Sequence, residues 1–212
     1  MLARKVVTRS GRKIRGYFPS RKMGQMVEWE SLLERDAILL MEFSSGIKSF
    51  REQPEKIIYY AGHEQREYYP DFRITLSGDS VADVEVKPKA QLQTRKVGEK
   101  LAHVTNHYDR LGRRFMVLTD ERIRRQPLLS NLNRLQYFNR HGYQIGSLSE
   151  KYRIRFGKDI PTLFGSVVTE LGESVVMTLL AYGVLISNLE QKLTSSSLIS
   201  WVKEDDDASL YI

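Results

Sequence analysis

The spacing of apolar and polar positions divides the first half of the chain into short elements of two kinds. Apolar residues recur every three or four positions from Val27 to Met41, which predicts a helix that ends before residues 44–46. Segments rich in β-branched and aromatic residues follow, with turns at Gly62 and at 77–79. The predicted strands are 47–50, 57–60, 68–75 and 81–86.

Further along, the pattern predicts a helix at 91–111, a strand at 115–118 and a helix at 128–138. The order of helix, strands, helix, strand and helix is typical of an α/β sandwich around a mixed sheet. Glycine and serine residues interrupt the pattern at 142–149, so we place a domain boundary near residue 146. The remainder predicts a small, mainly helical domain that resembles a winged helix or a compact bundle, with helices at 160–171, 175–182 and 188–201.

The charge is distributed unevenly along the chain. The 212 residues include 33 Lys and Arg against 26 Asp and Glu, which gives a net charge of +7. Residues 151–212 hold six cations and eight acids, so the positive charge lies in the first 150 residues. We therefore divide the chain into a basic arm at 1–25, a main domain at 26–146 and a C-terminal domain at 147–212 that ends in an acidic tail.

A basic arm on a larger domain is typical of proteins that bind a polyphosphate such as nucleic acid. Its eight cations, with no acid among them, are the residues for which we predict DNA contacts: Arg4, Lys5, Arg9, Arg12, Lys13, Arg15, Arg21 and Lys22.

The composition excludes several classes of site. Because the chain has no cysteine, it cannot form disulfides, thiolate zinc sites, iron–sulfur clusters or a cysteine nucleophile. No apolar run approaches the ~20 residues that span a bilayer, and the N-terminus lacks the apolar region of a secretory signal. We expect a soluble, intracellular protein.

Candidate chemistry lies in the predicted strands. Asp71 follows Pro70 on one strand, and Glu85 and Lys87 share a face of the next, because residues two apart on a strand point the same way. If the two strands form a hairpin, Asp71 reaches that face too. Two carboxylates can hold Mg²⁺ or Mn²⁺ against a phosphate oxygen, and a lysine can neutralise charge in the transition state. The alternative is an ordinary salt bridge from Lys87 to Asp71 or Glu85.

Several ordered motifs around these residues resemble the TnsA family. They are 30–36, Phe43, 52–54, 69–72 and 84–88, preceded by the basic stretch at 16–22 and followed by a strand that leads to Asp120 and Ile123. The resemblance spans about residues 4–140. TnsA proteins are nuclease subunits of heteromeric cut-and-paste transposases, with a restriction-endonuclease-like fold and a site of the PD-(D/E)xK type.

The resemblance implies that Glu34, Asp71 and Glu85 are the acidic members of a metal site and that Lys87 is the catalytic lysine. Some relatives carry glutamine at the position of Glu85, so this residue either binds metal or positions water. Glu34 also lies at the edge of the apolar stripe of its helix, and Glu30, one turn earlier, is our second choice.

The function implied is Mg²⁺-dependent or Mn²⁺-dependent cleavage of the 5′ strands at transposon ends. The resemblance also implies a cytoplasmic protein of a prokaryote that acts at the nucleoid. The partners implied are double-stranded DNA, a TnsB-like transposase for the 3′ cuts, and a TnsC-like AAA+ regulator that contacts the C-terminal domain. Two alternatives remain: another nuclease of the same fold, such as a resolvase or restriction subunit, and a DNA-binding assembly module without catalysis.

Overall fold

The computed structural model describes residues 14–139, 144–203 and 209–212. The chain forms two compact units, one comprising 1–124 with 209–212 and the other 125–208. In the first unit the elements are β1 (Gly16–Ser20), β2 (Gln25–Trp29), α1 (Leu32–Phe43), β3 (Ile47–Glu52), β4 (Ile57–Ala61), β5 (Glu64–Tyr68), β6 (Phe72–Leu76), β7 (Val81–Lys87), α2 (Lys89–Leu92), α3 (Arg95–Arg110), β8 (Arg114–Thr119) and α4 (Asp120–Ile123).

The centre of the first unit is a mixed four-stranded sheet in the order β3-β6-β7-β8. β3, β6 and β7 pair antiparallel, and β8 runs parallel to β7 after the crossover through α2 and α3. The apolar side of α1 is buried, and this helix contacts β3 and β7. α3 contacts β8 and the β4–β5 hairpin instead. The α/β fold with a mixed sheet and flanking helices confirms the predicted fold class.

The hairpin predicted between the two site-bearing strands is present. Phe72 pairs with Val84 in the antiparallel register of β6 and β7, and the chain turns through residues 77–80. Asp79 in this turn has a φ of +59°, a conformation that aspartate tolerates better than most residues. This register brings the residue before β6 beside the last residues of β7, which is where the candidate site forms.

The N-terminal end of the first unit differs from the prediction. Residues 16–29, assigned to the arm and to the start of the first helix, form an antiparallel hairpin of β1 and β2, and α1 begins only at Leu32. Val27 and Trp29 therefore lie on a strand and not on a helix. The few apolar residues in this stretch fit the helical period and the strand period equally well. Gly16 lies against the Trp29 ring, where a Cβ atom would stand 2.5 Å from a ring carbon.

Two other boundaries differ within this unit. The predicted strand 68–75 is divided between β5 and β6, with Tyr69, Pro70 and Asp71 outside both strands. The predicted helix 91–111 is divided into α2 and α3 at Gln93 and Thr94. The prediction that Asp71 lies on a strand was therefore wrong. Asp71 lies in the short link that leads into β6.

The second unit contains α5 (Leu128–Phe138), α6 (Ile145–Phe156), β9 (Thr162–Leu163), α7 (Phe164–Leu171), α8 (Glu173–Ala181), β10 (Leu185–Ile186) and β11 (Leu198–Trp201). The small sheet has the order β10-β11-β9, antiparallel throughout. The sequence of helices and strands from α6 onwards is that of a winged helix. α5 packs against α8, which explains why this unit begins at 125 and not near the predicted boundary at 146.

The C-terminal helix predictions were partly wrong. Residues 188–201 form a loop and β11 in place of a helix, and α6 covers the region where glycine and serine residues predicted an interruption. In the described ranges no single helix is long and apolar enough to cross a membrane; α7 and α8 meet that test only when taken together across a bend of 119°.

Candidate active site

Asp71 is fixed at the point where β6 begins. Its Oδ2 accepts a 2.7 Å hydrogen bond from the backbone amide of Val86 on β7. Its own carbonyl oxygen accepts a 2.9 Å bond from the amide of Gln53, a buried residue with a strained φ of +36°. The Asp71 carboxylate is therefore held against the strand that carries the other two members of the site.

Glu85 and Lys87 project from the same face of β7, as the sequence predicted. The Lys87 ammonium lies 2.6 Å from Glu85 Oε1 and 3.7 Å from Asp71 Oδ2. The other oxygen of Glu85, Oε2, accepts a 2.5 Å bond from the Tyr68 hydroxyl. Glu85 is 2% exposed, whereas the Lys87 side chain keeps 27% of its surface in solvent. The three predicted residues thus converge, with the lysine toward solvent.

Burial and mutual charge shift the proton equilibria of this cluster. Burial, reinforced by the Glu85 carboxylate, raises the pKa of Asp71 well above its usual range. Burial alone would lower the pKa of Lys87, but Asp71 and Glu85 outweigh it and the lysine pKa is raised. Lys87 is therefore an ammonium at neutral pH, while the two carboxylates compete for a single neighbouring positive charge.

Glu34 is engaged in a capping box at the start of α1. Ser31 Oγ accepts a bond from the Glu34 amide and donates to Glu34 Oε1 at 2.9 Å, and the Glu30 amide donates to Oε2 at 2.8 Å. Burial raises the pKa of Glu34, and Lys87 acts against that shift. The Ser-x-x-Glu spacing is visible in the sequence and could have revealed this structural role.

Glu30 lies 3.9 Å from Arg15, so the second-choice acid pairs with the basic stretch. Glu34 and Lys87 both line a cleft of about 430 Å³ that is open to solvent. The other residues that line this cleft are Ile14, Glu30, Ser31, Leu32, Leu33, Val86, Pro88 and Gln91.

Asp71 and Glu85 are the two carboxylates that the structure places beside Lys87. Across residues 14–139, 144–203 and 209–212 no group of three or more acidic or imidazole side chains is placed to hold a metal. The metal role of Glu34 stays a prediction, and its Oε1 and Oε2 accept bonds from Ser31 and the Glu30 amide. Asp71 and Glu85 suffice chemically, since Mg²⁺ is commonly held by one or two carboxylates and the phosphates of the substrate.

The structure describes three of the eight predicted DNA contacts. Arg15 and Arg21 lie at the ends of β1, while Arg4, Lys5, Arg9, Arg12 and Lys13 fall outside the described residues. The prediction that Lys22 contacts DNA was wrong. Its ammonium donates to the carbonyl oxygens of Met41, Ser44 and Ile47 at 2.6–2.8 Å, which occupies all three of its protons. Lys22 closes the end of α1 and is not available to a phosphate.

Two buried contacts of β7 were missed by sequence reasoning. Tyr68 binds Glu85, and Asp83, 1% exposed, binds Tyr108 and both Arg73 and Arg113. Tyr108 donates to Asp83 Oδ2 at 2.6 Å, and the two arginines also reach Glu55. These partners lie 10 to 58 residues from their acids along the chain, so no local pattern points to them.

Residues 44–120 match the family model described as TnsA-like endonuclease N terminal. The matched segment contains Asp71, Glu85 and Lys87, and Glu34 precedes it. The match confirms the resemblance to the TnsA family and identifies this segment as a transposition-related endonuclease domain. A comparison with curated proteins found no match for the chain.

Proposed function

We propose that the protein is the subunit of a heteromeric, Tn7-type transposase that cleaves the 5′ strands at transposon ends with the aid of a divalent metal. The observation that supports this proposal most strongly is the convergence of Asp71, Glu85 and Lys87 within the segment that matches the TnsA-like model. An endonuclease domain with two carboxylates beside a protonated lysine, where the lysine lines a solvent-facing cleft, has the groups that phosphodiester hydrolysis needs.

Asp71 and Glu85 would hold the metal, Mg²⁺ or Mn²⁺. Bound there, the cation supplies a Lewis acid that neutralises phosphate charge and makes water a better nucleophile. Within the protein, the Val86 amide and the Tyr68 hydroxyl each hold one of the two carboxylates in place. Because these bonds already order the two carboxylates, little further conformational entropy is lost when the substrate binds.

Lys87 carries the positive charge that remains fixed in the site. Because Asp71 and Glu85 raise its pKa, it stays protonated at neutral pH and cannot act as a general base. Its role is to neutralise charge that develops on the scissile phosphate and to orient the attacking water. Its partial exposure leaves the ammonium accessible to a DNA strand in the cleft.

In this proposal Glu34 acts on the site electrostatically. Its carboxylate accepts a hydrogen bond at the start of α1, and its charge interacts with the charges of Lys87 and Asp71. It would therefore shape the wall and the potential of the cleft. A direct ligand role for Glu34 requires the capping box to open.

DNA contacts in this proposal come mainly from the basic residues that precede Gly16 in the sequence. Ile14, the first residue that the structure describes, lines the cleft. Such contacts bind phosphate without reading sequence, so we expect weak binding of the isolated protein that decreases with salt. Selection of the transposon ends then falls to a TnsB-like partner.

A TnsC-like AAA+ regulator would bind the second unit. Two features support a protein partner there over DNA. α8, the helix that many winged helices place in the major groove, is covered by α5, with Val176 to Ala181 buried. The second unit, residues 125–208, also holds nine cations and nine acids, so it lacks the excess positive charge that attracts DNA.

Reconstituted excision of a transposon donor tests the proposal. We expect Lys87→Ala to abolish 5′ cutting while the partner's 3′ cuts persist. Lys89→Ala is the matched control, because Lys89 is exposed two residues later and pairs with Glu121 on the surface. Loss of both cuts in Lys87→Ala would mean that the lysine supports assembly, and full activity in that variant would refute the proposal.

The alternative of a DNA-binding assembly module is favoured by one specific observation. Lys87 is already paired with Glu85, and Glu34 is used for capping, as expected of a salt-bridged remnant. Calorimetry with Mn²⁺ separates the two functions. Heat that disappears in Asp71→Ala supports the nuclease; no heat with the native protein supports the module.

A further inference from the structure

The Tyr68 hydroxyl and the Lys87 ammonium hold the two oxygens of Glu85 from opposite sides. Tyr68 donates to Oε2 at 2.5 Å, and Lys87 lies 2.6 Å from Oε1. The direction in which Oε1 points is therefore set by the bond at Oε2. Tyr68 comes from β5, outside the four-stranded sheet that carries Glu85.

Packing fixes the position of this hydroxyl. Tyr68 is 2% exposed, and its ring meets Tyr59 and Phe115 edge to face, with centroids 6.4 and 6.0 Å away. The ammonium of Lys100 on α3 lies 4.8 Å from the ring centroid. With the ring held on these sides, the hydroxyl cannot move without displacing the small core beneath α3.

We infer that Tyr68 is a positioning residue of the nuclease site, one that keeps Glu85 directed at Lys87 and at the side chain of Asp71. The inference rests on the proposed function for its catalytic consequence. The hydrogen bond that joins the Tyr68 hydroxyl to this cluster is the one to Glu85 Oε2, so Tyr68 acts through that carboxylate.

The buried setting of Glu85 explains why the hydroxyl is needed. Without it, Oε2 would face aromatic carbon, and a buried carboxylate oxygen that lacks a donor is costly. The Glu85 side chain would then turn toward solvent, which removes a correctly directed negative charge from the cation site.

Tyr108 offers a matched control on the same strand. Its hydroxyl donates at 2.6 Å to Asp83, which lies two residues before Glu85 on the same face of β7. Tyr108→Phe also removes a tyrosine-to-carboxylate hydrogen bond. Like Tyr68, Tyr108 packs against the ring of Phe115. Asp83 keeps Arg73 and Arg113 as partners and is not part of the site.

The experiment compares Tyr68→Phe and Tyr108→Phe in the full chain. Mn²⁺ affinity by calorimetry, single-turnover 5′ nicking in reconstituted excision, and thermal melting are measured for both. We expect Tyr68→Phe to lose about 10–100-fold in Mn²⁺ affinity and nicking rate, as is typical when the partner of a metal ligand is removed. Tyr108→Phe should match the native protein in both, with a comparable or larger fall in melting temperature.

A double-mutant cycle and a metal-free structure complete the test. In a Glu85→Ala background, Tyr68→Phe should cause no further loss of Mn²⁺ affinity, because the residue through which it acts is absent. A crystal structure of Tyr68→Phe should show Glu85 turned away from Lys87. Glu85 unmoved, or equal losses of Mn²⁺ affinity in both tyrosine variants, would overturn the inference.

Failure of the proposed function is distinguishable from failure of this inference. If the native protein never nicks DNA, the proposed function fails, and Tyr68 is then judged on the orientation of Glu85 and on Mn²⁺ affinity. If the native protein nicks and Tyr68→Phe nicks equally well with Glu85 in place, the nuclease stands and the positioning role is refuted.

Discussion

The carboxylate of Asp71 is bonded to the backbone amide of Val86, the residue between Glu85 and Lys87, at 2.7 Å. This bond holds the acid that precedes β6 beside two charged residues in the part of β7 farthest from the turn, at the open end of the hairpin. It also places Asp71 next to the Glu85 carboxylate in a site where Asp71 keeps only 18% of its side-chain surface in solvent.

Asp71→Asn should abolish cleavage and stabilise the metal-free protein. The amide oxygen can still accept the Val86 bond, but the repulsion with Glu85 disappears. Because the raised pKa of Asp71 reflects a cost of charging it in the folded state, we expect the free energy of unfolding of Asp71→Asn to exceed that of the native protein at neutral pH. Urea titration measures it.

Asp79→Asn is the control for that change. It removes an acid from an exposed turn and loses only a surface pair with Lys48, so we expect almost no change in stability. A destabilised Asp71→Asn protein would contradict the view that the site is strained by its own negative charge.

The affinity for Mn²⁺ should fall as the pH is lowered. Asp71 has a folded-state pKa raised above its unfolded value, so the carboxyl takes up a proton at a higher pH than usual and then cannot bind a cation. Metal binding should therefore release protons. The release is measured by calorimetry in buffers of different ionisation enthalpy, and an affinity independent of pH would count against Asp71 as a ligand.

The same shift affects stability in the opposite direction. Because the folded protein binds a proton at Asp71 more tightly than the unfolded chain does, this group lowers the free energy of unfolding as the pH rises from the ordinary to the raised pKa. Denaturation of the metal-free protein across that window should show the decrease. Asp71→Asn should abolish it.

Lys22→Met should destabilise the first unit by about 2–3 kcal/mol, because three carbonyl oxygens at the end of α1 lose a charged donor. Lys48→Met, which breaks a surface pair, should cost about 1 kcal/mol or less. At temperatures where both variants are folded, Lys22→Met should bind DNA as the native protein does. A specific loss of DNA affinity would restore Lys22 to the set of predicted contacts.

Asp83→Ala should cost about 3–5 kcal/mol, since it leaves Arg73 and Arg113 without their shared buried acid. Glu99→Ala removes an exposed partner of Arg95 on α3 and should change stability by less than about 1 kcal/mol. Chemical denaturation of the two variants provides the comparison. Similar small effects for both would show that the Asp83 network contributes little.

The amino-acid sequence alone predicted the features that follow from the local spacing of apolar and polar residues. Residues two apart on a strand share a face, so Glu85 and Lys87 had to project together, and the turn at 77–79 brought β6 and β7 into a hairpin. The β-branched and aromatic runs likewise predicted the four strands of the mixed sheet.

Only the tertiary structure decided which distant groups meet. Tyr68 reaches Glu85 across 17 residues, Lys22 reaches the end of α1 across about 20, and α5 packs against α8 in the second unit. Each of these contacts joins side chains from different elements, and their positions follow from packing that no local spacing specifies. The convergence of Asp71, Glu85 and Lys87 was therefore readable from the chain, while the groups that hold these side chains in place were not.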